Sequence, residues 1–109
     1  MLSIVVPSKA PSSFSVTATS STTITASWQL PPLDGRNGII RGFKLLYKKK
    51  SFSGPQTVVD VQSESIRTKV VSGLKEYTEY EFQVLAYTSV GDGARSSVKF
   101  EVTMEDGKK

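Results

Sequence analysis

Three groupings in this chain carry side chains of the kind that do chemistry. Gly91-Asp92-Gly93 offers the close glycines of a phosphate cradle. A cradle needs a helix starting directly after it, so that free amides of the first turn face the phosphate. The downstream residues Val98, Phe100 and Val102 instead alternate as a strand, so the glycines read as a hairpin turn. Glu79 and Glu81 are closely spaced carboxylates. Acid–base catalysis requires such a pair to converge in a cleft, whereas alternation puts both on the outer side of a strand or turn, in solvent. Lys44, Lys48, Lys49 and Lys50 gather toward one end of another strand. They suit a sulfated glycan or an acidic protein; the competing reading is a charged edge that blocks unwanted strand pairing. Duplex nucleic acid fits poorly, because no recognition helix and no interleaved aromatic platform accompany the lysines. Cysteine and histidine are both absent. That removes disulfides, thiolate nucleophiles, imidazole bases and nearly all zinc chemistry. Catalysis is therefore not expected, and no catalytic, cofactor or metal residue is assigned.

These groupings must be positioned by elements of period two. The organising stretch runs from Leu74 to Ala86. Tyr80, Phe82, Val84 and Ala86 share one face, and Glu81, Gln83 and Leu85 the other, as a half-buried strand requires. A buried tyrosine at the start of a strand must satisfy its hydroxyl. The backbone of the turn around Leu74 is the nearest acceptor, the arrangement known as a tyrosine corner. Upstream, Phe14, Val16 and Ala18 alternate with hydroxyl residues. Ile24, Ala26 and Trp28 form a second inward row, with the only tryptophan centring the core. Leu30 to Gly38, with two prolines and Asn37-Gly38, is a loop. Phe43, Leu45 and Tyr47 point inward from a third strand, and Lys44, Leu46 and Lys48 outward. Gln56 to Val61 is a fourth strand, expected at an edge. Arg67 to Val71 is a fifth, with Val71 rather than Val70 fitting the inward position better. The Leu74–Ala86 stretch is the sixth strand, and Val98, Phe100 and Val102 form the seventh. Seven short strands with no helical period predict an all-β fold, a sandwich of two antiparallel sheets.

A chain of 109 residues, 38% hydrophobic, is enough for one such core. The expected division is a flexible lead over residues 1–10, the sandwich over 11–104 and a polar tail over 105–109. The apolar stretch of Met1 to Pro7 is too short for a signal peptide and lacks a preceding basic residue. It reads as a linker remnant of something longer. No apolar run is long enough to cross a bilayer. The net charge of +4 is a mild surplus that most soluble domains tolerate without any specific partner.

Read together, these pieces resemble a fibronectin type III domain over roughly residues 11–104. The resemblance rests on Pro11-x-x-Phe14-x-Val16, Ile24-x-Ala26-x-Trp28, Pro31-Pro32 and the run from Asn37 to Tyr47. It continues through Gly73-Leu74, Thr78-x-Tyr80-x-Phe82-x-Val84-x-Ala86 and Gly91-x-Gly93. Glu76 stands where the family often has proline, which leaves the corner turn less rigid. Paired cysteines of an immunoglobulin domain and the Trp-Ser-x-Trp-Ser pattern of cytokine receptors are both missing. Some family members carry Arg-Gly-Asp in the loop holding Gly91-Asp92-Gly93; this chain does not, and Asp34-Gly35-Arg36 reverses the order in another loop.

The resemblance implies a seven-stranded module of the immunoglobulin-like kind, usually one repeat of several in adhesion or guidance receptors and receptor phosphatases. The expected role is a non-catalytic spacer and protein-binding module in the extracellular part of a single-pass membrane protein, monomeric in isolation. It would contact neighbouring domains or a protein partner, without inserting into the membrane. Lys44, Leu46, Lys48, Leu85 and Tyr87 are the expected partner surface, with Leu46, Leu85 and Tyr87 as an exposed apolar patch rimmed by lysines. Trp28, Leu74 and Tyr80 are structural. The alternatives are a heparin-like glycan site at Lys48, Lys49 and Lys50, or an intracellular module of the muscle-filament kind. The chain has no Asn-x-Ser/Thr site, which suits either compartment.

Overall fold

A computed structural model describes residues 6–105. β-Branched and aromatic residues alternating with polar ones form seven strands. These are β1 (Ser12–Ala18), β2 (Ile24–Gln29), β3 (Gly42–Lys49), β4 (Thr57–Val61), β5 (Thr68–Val71), β6 (Glu79–Tyr87) and β7 (Lys99–Val102). One sheet has the order β1-β2-β5 and the other β4-β3-β6-β7. Every pairing is antiparallel. β4 lies at an edge, as expected from the sequence. Pro31 and Pro32 lead into a single 3-10 turn at Leu33–Gly35, where their missing amides are not needed.

The two inner faces meet in one core. Ile24, Ala26, Phe43, Leu45, Phe82, Val84 and Ala86 are wholly buried. Trp28 is 1% exposed, with its ring centroid 5.6 Å from that of Phe43. Tyr47 stacks on Phe82 at 5.6 Å. Val71 is buried while Val70 is 54% exposed, which settles the phase of β5. The Trp28 Nε1–H is the one buried side-chain polar atom without a partner among the described residues. Such an orphan costs about 1–3 kcal/mol, so the ring is held by packing alone.

Leu74 and Tyr80 are buried, and the corner forms. The Tyr80 hydroxyl oxygen accepts the Lys75 amide at 2.8 Å, so the turn supplies the donor rather than the acceptor read from the sequence. Thr103, 1% exposed, locks the same turn from the other side. Its hydroxyl donates to the Lys75 carbonyl at 2.7 Å and accepts the Thr78 amide at 2.9 Å.

The edges are guarded by charges placed on the inner face. Lys69 pairs with the buried Ala26, and Lys99 and Glu101 pair with Phe82 and Tyr80. Glu101 also accepts the Ala18 amide at 2.7 Å, tying β7 of one sheet to β1 of the other. Val98, Phe100 and Val102 consequently sit on the outer side and are exposed.

Tyr80→Phe leaves the ring and removes the acceptor of the Lys75 amide. Stability should fall by about 1–2 kcal/mol. Urea denaturation should show a lower midpoint with an unchanged slope.

Candidate interaction surface

The outer face of the four-stranded sheet is where the sequence places the partner surface. The register agrees with the expected directions. Lys44 lies opposite Leu85, Leu46 opposite Gln83 and Lys48 opposite Glu81, and all of these alternate with core residues. Exposure does not follow direction, however. Leu46 is 4% exposed and Leu85 2%, so the expected apolar patch does not exist. Only Tyr87 of the three is partly open.

Two polar chains on the same face account for the burial. In one, the Tyr87 hydroxyl donates to Asp60 of β4 at 2.8 Å. Lys44 lies 5.6 Å from the Tyr87 ring centroid and pairs with Asp92 of the β6–β7 loop at 3.0 Å. In the other, Arg95 donates to Gln56 at 2.9 Å, and Gln56 donates to Gln83 at 3.3 Å. Gln83 in turn donates to the Ser96 carbonyl at 2.9 Å. Arg95 follows β6 in the chain and Gln56 precedes β4, so this bond crosses β6 and β3 above the leucines. The apolar stems of such side chains cover apolar surface while their heads stay in water. Sequence alternation reports which way a side chain points. It does not report what folds over it from strands forty residues away.

Burial pushes the Tyr87 phenol above its ordinary pKa, reinforced by the Asp60 hydrogen bond and the charges of Asp60 and Asp92. The face thus presents Lys44, Asp60, Tyr87, Asp92 and Arg95 as a fixed polar lattice rather than a greasy patch.

The lysine cluster is dispersed. Lys48 and Lys49 are neighbours in β3 and point to opposite faces. The Lys48 ammonium donates to the Phe52 carbonyl. Lys50 pairs with Glu79 at 3.6 Å and lies 5.2 Å from the Phe100 ring centroid. Glu79 and Glu81 are partly buried rather than fully solvated. Among the described residues, no group of three or more His, Cys, Asp or Glu could hold a metal. Gly91-Asp92-Gly93 forms a turn, with Tyr87 bridging to Asp92.

At the opposite end from the lysines, a crevice between the β2–β3 and β6–β7 loops holds residues 6–10 of the expected lead; residues 1–5 lie outside the described residues. Ser8 donates to the Gly35 carbonyl at 2.8 Å, and the Pro7 carbonyl accepts the Ala94 amide at 3.1 Å. Pro7 is buried. A Cβ on Gly35 would lie 2.5 Å from Lys9 Cγ, and one on Gly93 2.5 Å from Pro7 Cβ. Both glycines are therefore required for the close approach. Lys9 pairs with Asp34 at 2.9 Å. The bond from Lys9, and then its charge, holds the Asp34 carboxyl below its ordinary pKa.

Two outcomes check the roofed face. Leu85→Ala should cost about 2–5 kcal/mol in denaturant unfolding, the range for a buried leucine, rather than the roughly ±0.5 kcal/mol of a surface site. For Tyr87, the raised folded-state pKa means that the neutral phenol is favoured by the fold. Its contribution is complete below the ordinary value of about 10 and is lost as pH rises through the raised folded value. The stability difference between the native chain and Tyr87→Phe should therefore shrink above that range, measured by denaturation as a function of pH.

The comparisons agree with this architecture. The family model for the fibronectin type III domain matches residues 9–103. The chain is 40% identical to protein sidekick-1 of Gallus gallus over 102 residues, covering 93% of this chain and 5% of that protein. It is 36% identical to the cell adhesion molecule Dscam2 of Drosophila melanogaster, with the same coverage of 93% and 5%. The chain thus spans about a twentieth of the relatives it matches. Among solved structures, the FN5 domain of Drosophila Lar is 34% identical with a TM-score of 0.72, over 91% of this chain and 98% of that one. The FN1–FN3 domains of chicken CNTN1 superpose with a TM-score of 0.79 at 25% identity, over 91% of this chain and 33% of theirs. Strand count, sheet order, tyrosine corner and family match converge, and the chain belongs to the fibronectin type III domain family.

Proposed function

We propose that this chain is a non-catalytic spacer and protein-contact module in the extracellular part of a larger cell-surface receptor. The observation that carries the reading is the similarity, over nearly its whole length, to single segments of cell adhesion molecules many times longer. Its geometry suits the role. The entry arm packs beside the β2–β3 and β6–β7 loops, while Thr103 and Met104 bond to Thr78, Tyr77 and Ser20 at the other pole. The nine residues of β6 hold those poles roughly 30 Å apart at about 3.3 Å per residue. Bonded segments at both ends transmit orientation from one neighbour to the next, and the lattice of Lys44, Asp60, Tyr87, Asp92 and Arg95 offers a partner a preset array of donors and acceptors. Dispersal of Lys48, Lys49 and Lys50 favours protein over sulfated glycan as that partner.

The test is to express the longer protein containing this module on cells, with an epitope tag placed in the exposed Ser51–Gly54 turn. Antibody should stain unpermeabilised cells, and reversing charge at Lys44 and Arg95 should reduce cell–cell adhesion several-fold while leaving surface level unchanged. Staining only after permeabilisation, or adhesion indifferent both to those reversals and to deletion of the module, would overturn the proposal.

A further inference from the structure

The turn between β5 and β6 contains a residue whose backbone and side chain make opposite demands. Tyr77 has φ +46°, a left-handed conformation that bulky residues adopt only at an energetic cost. The fold uses its amide, which donates to the Met104 carbonyl at 3.0 Å. It does not use the ring, since Tyr77 is 67% exposed. Glycine would meet the backbone requirement without strain. The core therefore does not account for the phenol.

Tyr77 lines an open depression of about 470 Å³ together with Lys50, Ser51, Thr78 and Glu79. The depression is open to solvent on its outer side, so an occupant would lie against the surface rather than be enclosed. The Lys50 amide donates to the Glu79 carbonyl at 3.0 Å, and their side chains pair at 3.6 Å. Lys50 is further steadied above Phe100 at 5.2 Å. The lining thus brings together an exposed tyrosine, an ammonium donor, a carboxylate acceptor and a serine, with the two formal charges cancelling.

Electrostatics narrows what can occupy it. An anion meets Glu79, a cation meets Lys50, and an apolar ligand strands both. A neutral polyhydroxylated ring satisfies all of them. Its C–H face packs on the phenol, and its hydroxyls donate to Glu79 and accept from Lys50. We propose that the Tyr77–Lys50–Glu79 cleft binds a neutral sugar, such as one or two hexose units of an uncharged glycan. The site is separate from a sulfated-glycan patch, since it needs neither Lys48 nor Lys49.

The test is titration of the isotope-labelled chain with lactose, mannobiose and chitobiose, with a heparin disaccharide as the anionic arm, followed by amide NMR. At least one neutral disaccharide should give saturable shifts at Ser51, Tyr77 and Glu79, with a dissociation constant on the order of 1–10 mM. Tyr77→Gly should weaken it at least about tenfold, equivalent to about 1.4 kcal/mol, while the thermal midpoint stays level or rises. Tyr77→Asn, which also tolerates this φ, should behave alike and guards against a fold defect peculiar to glycine. The proposal is overturned if none of the three neutral sugars gives saturable shifts, or if the shifts survive both substitutions. It also fails if both variants lose stability, or if the heparin disaccharide perturbs the same amides more strongly.

Discussion

The register between β3 and β6 is the constraint on which the rest of this structure hangs. Eight residue pairs, from Gly42–Tyr87 to Lys49–Tyr80, lock the two central strands of the larger sheet. Because side chains alternate, a slip by one residue would turn one strand over relative to the other. Either Phe43 and Leu45 would leave the core for Lys44 and Lys48 to enter, or Phe82 and Val84 would leave it for Glu81 and Gln83. The Tyr80 corner pins that register at one end by anchoring the first inward residue of β6 to the turn before it. At the other end, Gly42 packs where a Cβ would meet Tyr87 Oη at 2.6 Å, so the close approach of this alignment needs glycine there.

The same register explains why the outer face became a second, thinner layer. Leu46 and Leu85 lie beside one another on adjacent strands, and left open they would form an apolar spot in water. β4 and the residue before it contribute Asp60, Val58 and Gln56, and the segment after β6 contributes Asp92, Arg95 and Ser96. Across this face Arg95 bonds to Gln56, Gln56 to Gln83, Gln83 to the Ser96 carbonyl and Tyr87 to Asp60. Apolar area leaves water while the charged heads remain hydrated. A face that is greasy at the level of one strand is thus polar at the level of the sheet.

A comparable closure operates between the sheets. β1 and β7 are edge strands of different sheets, and each is open to stray pairing. Glu101 reaches from the inner side of β7 to the amide of Ala18, converting two edges into a seam. The entry arm closes the pole above the core by bonding to loops on both sides. Such closures matter because exposed backbone at a seam or pole would invite non-specific association.

Period-two alternation, turn residues and the spacing from Leu74 to Tyr80 by themselves determined seven strands, the inward rows of β1, β2, β3 and β6, the central tryptophan, the place of the corner and the family, because these depend on short-range rules of the chain. The sequence also indicated that β4 lies at an edge, and it favoured Val71 over Val70 as the inward residue without deciding between them; the structure buries Val71. Tertiary structure alone decided what each outward residue meets. Arg95 finds Gln56, Tyr87 finds Asp60, Pro7 finds Ala94, Lys50 finds Glu79, and Lys48 turns to the Phe52 carbonyl. Those contacts join residues far apart in the chain or around turns of irregular shape, so no local period encodes them. Direction is a property of a strand, whereas exposure is a property of its neighbours.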